Sequence, residues 1–134
     1  MRIVSITARV LLGLTFAAAG LSGFFLIAKG PPPMPGLAGD FQRVFFASRW
    51  VLFVDGVELV AGLLLLINRY VPLALVLLAA VLANILVFHL TMALGGIVPG
   101  LVLTVFWFIV ASNHRRTLLP LLAPRPQSVE GQHG

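Results

Sequence analysis

Five side chains in this sequence carry groups that could do chemistry inside an otherwise apolar chain. Asp55 and Glu58 stand three residues apart in VLFVDGVELVAGLLLLIN (51–68), so a helix sets both on one face. Asn84 and His89 lie in a later apolar run, five residues apart, roughly 140° around a helix, so both cannot point squarely at one partner. Arg9 stands near the start of a third run. A carboxyl, an amide and an imidazole in one layer could hold a quinone carbonyl or relay a proton. Each also has a structural explanation. Glu58 and Asn84 could bond neighbouring helices and glue a bundle. Asp55 lies near an interface, and His89 could simply reach headgroups. Arg9 could snorkel to the nearer surface or pair with Glu58 across a helix interface.

Other chemistries find little to work with. There is no cysteine, which removes disulfides, thiolate nucleophiles and thiol redox motifs together. His89 and His114 would end different helices on opposite sides of a membrane, and His133 lies in the tail, so two histidines are not expected to ligate one haem iron. Asp55, Glu58 and His89 match no recognised metal-ligand spacing, and no metal is expected. No phosphate loop, dinucleotide fingerprint or Ser/His/Asp arrangement is present.

What must position these residues is a membrane domain. Of 134 residues, 60% are hydrophobic and 10% charged, where a soluble domain carries roughly 25% charged. Mean hydropathy is +1.07. The net charge of +5 invites a nucleic-acid partner, but most basic residues stand singly at the ends of apolar runs, as anchors do, and no nucleic acid is expected. The expected fold is all-α: a four-transmembrane-helix bundle with spans near 4–28, 51–68, 71–90 and 97–112. The apolar stretch 10–28 exceeds a typical ~7–15-residue signal-peptide core, so it is expected to remain as the first span. Gly13, Ala17 and Gly20 fall on one side of it, and Ala79 and Ala83 form a second small pair, both suited to close helix approach.

The connections follow from the residues between these runs. The proline-rich stretch 29–36 cannot be helical and forms the first loop, a lid over the acidic layer. Residues 40–50 read as a short interfacial segment, capped by Asp40, with Phe41, Val44, Phe45 and Ser48 on one face. Residues 91–99 form an uncharged loop. Two acids in a spanning helix cost ~2.5–3.5 kcal/mol each on the lenient insertion scale, so they should face a bundle interior, a wet cavity or a partner. With four spans both termini share a side. Arg2, Arg69, Arg115, Arg116 and Arg125 mark it as the inner one, against Lys29, Arg43 and Arg49. Depth at ~1.5 Å per residue then puts Asp55, Glu58, Asn84 and His89 in one outer layer. Residues 1–116 form the membrane domain and 117–134 a surface or disordered tail.

Four motifs in order resemble a known family. Arg9-Val10-Leu11-Leu12-Gly13-Leu14 with Gly20 follows the opening run of the DoxX family, and Pro33-Met34-Pro35-Gly36 resembles its loop. The run from Val57-Glu58 to Leu63-Leu64-Leu65-Leu66 is similar to its acidic second-helix segment, and Asn84-Ile85-Leu86-Val87-Phe88-His89 to its third-helix segment. The resemblance covers roughly 9–116. The chain departs from the pattern at Leu21-Ser22-Gly23, where many relatives carry a basic residue, and at Ala61, where glycine is frequent. The resemblance implies a four-helix integral membrane protein of bacterial or archaeal type, and the expected location is the bacterial plasma (inner) membrane. It also implies association with quinone-linked oxidoreductases or oxidative-stress complexes in some members. The leading expectation is therefore an accessory subunit of a membrane redox system that touches quinone, holds no cofactor within the chain, and has lipid and other membrane subunits as partners. A structural or assembly subunit and a small-molecule or proton carrier are the alternatives.

Overall fold

The computed structural model describes residues 1–124, and these are helical, with no strand among them. Arg125 and His133, and most of the tail expected to be disordered, lie outside the described residues. The elements are α1 (Arg2–Leu26), α2 (Gly36–Ala47), α3 (Trp50–Leu66), α4 (Val71–Met92), α5 (Ile97–Asn113) and a one-turn α6 (Arg115–Leu118). Short 3₁₀ turns precede α5 at Leu94–Gly96 and follow α6 at Leu119–Leu122. Three segments are long and apolar enough to cross a membrane: Arg2–Leu26, Val71–Met92 and Leu94–Asn113.

The long helices pack in a ring, α1 on α3, α3 on α4, α4 on α5 and α5 back on α1. The α1/α3 contact is the tightest, and glycine makes it possible. A Cβ at Gly20 would lie 2.4 Å from the Asp55 carbonyl oxygen, and one at Gly62 would lie 2.4 Å from the Ala17 nitrogen. Gly13 faces Gly62, and Gly23 faces Asp55, so the helices run antiparallel. The small residues foreseen on α1 are therefore the seam itself. The second pair is not: Ala83 is exposed, and α4 turns Val71, Ala74, Leu75, Leu78, Val81 and Leu82 inward instead. These meet Leu12 and Phe16 of α1, Leu65 of α3 and Val110 of α5 in one core. Trp107 Nε1 donates to the Leu75 carbonyl at 2.8 Å, tying α5 to α4.

The connections differ from expectation in instructive ways. α2 starts at Gly36 with Pro35 as its N-cap, so Asp40 does not cap it. Asp40 instead pairs with Arg43 one turn on, at the surface. The proline stretch folds back on α2: Gly39 leaves room for the Met34 carbonyl, which a Cβ would meet at 2.0 Å. The break between α2 and α3 falls at Arg49, whose φ of 59° is left-handed. The α3–α4 turn holds Asn68 and Tyr70 at φ 56° and 53°. Asparagine tolerates that region and tyrosine does so at some cost. The loop expected at 91–99 is mostly helical, and α5 begins at Ile97.

Candidate functional site

Helix α3 carries both acids on its buried face. Asp55 faces α1. Its carboxyl fills the space a Cβ at Gly23 would need, and Oδ2 is buried without a hydrogen-bond partner among the described residues. Glu58, 8% exposed, lies on the same buried stripe of α3 one turn on, and it also lines a cleft between α3 and α4. A three-residue step rotates a helix by about 300°, a net ~60°, so the two acids are neighbours on one face, with Asp55 nearer α1 and Glu58 nearer α4.

The cleft has a volume of about 420 Å³. Its walls are Phe53, Val54 and Val57 from α3 and Val76, Leu77 and Val81 from α4, with Asn84 at one end. Glu58 and Asn84 are its polar groups. Asn84 is exposed, and its amide donates to the Ala80 carbonyl at 2.9 Å, which leaves the amide oxygen unused. Asn84 also borders a second cavity of about 470 Å³, walled by Phe41, Val44 and Phe45 of α2 and by Ser48 and Trp50 beyond it. The two cavities share Asn84 in their walls, and the α3/α4 cleft is an apolar trough with the Glu58 carboxyl in its lining.

Aromatic contacts hold α2 on α4. Phe45 stacks on Phe41 at 5.6 Å between ring centroids, Phe41 packs on Phe88 of α4 at 5.4 Å, and Phe88 meets His89 edge-on at 5.2 Å. The aromatic face of α2 is therefore the wall of the cavity beside Asn84. The face Phe41/Val44/Phe45/Ser48 was legible as one side of a helix. Its role as a cavity wall was not, because interfacial aromatics look the same whether they meet lipid or a ligand.

Three of the five expected residues stay outside the trough: Asp55, against Gly23 of α1, and His89 and Arg9. His89 sits half-buried at the end of α4, with Nδ1 3.1 Å from the Ala93 carbonyl and its ring against Gly96. That contact closes the α4–α5 turn and points away from Glu58. Arg9 is at the other end of α3, where its guanidinium donates to the Leu65 carbonyl. Leu65 is seven residues beyond Glu58, roughly 10 Å along the helix, so the Arg9–Glu58 pair does not form. Asp55, Glu58 and His89 do not converge either, and no cluster of three His, Asp or Glu residues exists among the described residues.

Apolar helices of spanning length, held by a glycine seam and keeping two buried acids, define a helical integral membrane protein. A family model, DoxX, matches residues 4–90. The chain belongs to the DoxX family. Among curated proteins and solved structures, none matches it.

Proposed function

We propose that this chain crosses the bacterial plasma membrane four times as a four-helix bundle. In this reading it serves as an accessory subunit of a quinone-linked redox system, with the α3/α4 trough as the quinone site. The single observation that carries this reading is Glu58, a buried carboxyl opening onto a long apolar cleft that also holds an amide. A quinone has the matching pattern, a flat ring with carbonyls on an apolar tail. Glu58 would donate to one carbonyl and pass it a proton as electrons arrive from a partner subunit, and Asn84 would orient the ring. The apolar walls would take the tail from the lipid side.

The fourth span is α3. It has 17 residues, but Arg9 and Asp55 bracket its depth: its C-terminal end is level with Arg9 and its N-terminal half with Gly23 of α1. It therefore runs beside α1 for ~20 Å, most of a bilayer core. Both termini then share the inner side, which the arginines at that end favour. Reporter fusions at the two ends should both give cytoplasmic signals, and a periplasmic signal from either end refutes the orientation. Cysteine labelling gives a second check at Pro32, in the first loop. Gly36 is a poor site for it because its φ of 63° disfavours any side chain. Pro32→Cys should react with an impermeant reagent from outside only.

Glu58→Gln tests the role in redox chemistry. Glutamine keeps the shape and can hydrogen-bond a carbonyl, but it cannot release a proton. The variant should assemble with its partners, keep its thermal stability in detergent and lose the redox phenotype. Wild-type redox behaviour in Glu58→Gln would leave the carboxyl as glue between helices and favour the structural-subunit reading.

A further inference from the structure

A second polar cavity lies at the opposite end of the bundle, and its charge is unbalanced. It has a volume of about 460 Å³ and is lined by Arg2, Ser5 and Arg9 of α1, Asn68 of the α3–α4 turn, and Asn113 and His114 at the end of α5. Three separate chain segments therefore converge on it. Arg9 is half-buried and placed about 10 Å along α1, and its described partner is the neutral Leu65 carbonyl. A guanidinium has five donors, so one carbonyl leaves most of its capacity unused. His114 directs Nδ1 to the Val110 carbonyl at 3.0 Å, which fixes its ring and leaves Nε2 free.

The acids of the described chain are all elsewhere. Asp40 is on α2, and Asp55 and Glu58 are in the N-terminal half of α3, at the far end. The ion pair formed among the described residues is Arg43 with Asp40, also at that far end. Arg69, Arg115 and Arg116 add further positive charge around the cavity end. Arg9 thus turns its charge into a polar cavity where no acid of the described chain balances it. Arginine forks with nearby amide and hydroxyl donors are the usual recognition set for a phosphate group.

We propose that this cavity binds a phosphate group, carried by an anionic phospholipid headgroup or present as free phosphate. The phosphate would sit between Arg2 and Arg9, with Ser5 and the Asn68 and Asn113 amides donating to its remaining oxygens. It would link the starts of α1 and α4 to the end of α5, and so lock the ring of helices at this end.

Thermal unfolding of the full chain in a neutral detergent tests this, with dioctanoyl phosphatidylglycerol, dioctanoyl phosphatidylcholine and inorganic phosphate as the probes. Phosphatidylglycerol should raise the Tm in a saturable way, and phosphatidylcholine should have little effect. If inorganic phosphate does as well as phosphatidylglycerol, the site is a free-phosphate site. If it does not, the ligand is the lipid. Asn113→Asp supplies the missing counter-charge from within, at an exposed position, and should weaken binding about tenfold while folding normally. Arg116→Gln removes the same unit of charge outside the cavity and should change affinity little. Arg9→Gln should abolish the Tm rise. The proposal fails if neither phosphatidylglycerol nor phosphate shifts the Tm, or if Asn113→Asp and Arg116→Gln weaken binding equally, which is the mark of unspecific surface charge.

Discussion

Gly20→Ala should destabilise the protein by ~3 kcal/mol, near the upper end of ordinary overpacking, although it adds one methyl group. The new Cβ would lie 2.4 Å from the Asp55 carbonyl oxygen and 2.5 Å from the Leu59 nitrogen. Both are backbone atoms of a helix and cannot swing aside, so α1 and α3 must separate along their length. Gly62→Ala should cost a similar amount, since its Cβ meets the Ala17 nitrogen at 2.4 Å. The double variant should cost less than the sum, because helices already parted by one methyl leave room for the second. Gly56→Ala is the control. Nothing lies within 4 Å of its Cβ, so helix propensity should make it stabilising by roughly 0.5–1 kcal/mol. Unfolding of the purified variants in one detergent measures all four. Full additivity, or wild-type stability in Gly20→Ala, would contradict the seam.

That seam was visible in the sequence because small residues at helical spacing have few other uses inside a membrane. The same rule misled at Ala79 and Ala83, since alanine is also a neutral lipid-facing residue, and Ala83 is exposed. The acids were legible for a similar reason: a carboxyl in a 17-residue apolar helix is costly wherever it points. The three-residue step between Asp55 and Glu58 predicts one shared face, and both lie on the buried stripe of α3. That Asp55 meets Gly23 of α1 while Glu58 also borders the α4 cleft was not legible. Depth arithmetic placed Asn84 and His89 in the same layer as Glu58 without their azimuth. Asn84 reached the trough and His89 closed a turn instead. Arg9 went to the Leu65 carbonyl for the same reason that separates it from Glu58, its height along α1. The cavity around Arg9 needed three turns to fold together, and no single stretch of sequence announces it.

The α3/α4 trough leads to the second large effect, on ligand binding. Glu58 and Asn84 are its polar groups, so their loss should remove most of the affinity for a quinone while the apolar walls remain. Each hydrogen bond to a buried partner contributes ~1–1.5 kcal/mol, or up to about tenfold in Kd. Glu58→Leu with Asn84→Leu should therefore weaken binding by about a hundredfold. Glu58→Gln should bind nearly as well as the wild type, which separates its binding from its expected loss of redox function.

Trp50 gives a direct readout of this site. It borders the cavity that shares Asn84 with the cleft, and it is one of two tryptophans in the chain. The other, Trp107, is on α5, bonded to the Leu75 carbonyl. Trp107→Phe removes that emitter at a cost of about 1 kcal/mol. Titrating a short-chain quinone into this single-tryptophan protein should quench Trp50 saturably, with the midpoint moved up about a hundredfold by the double leucine substitution. Quenching that rises linearly with quinone, or saturates at the same midpoint with and without Glu58 and Asn84, would show that the trough is not the binding site.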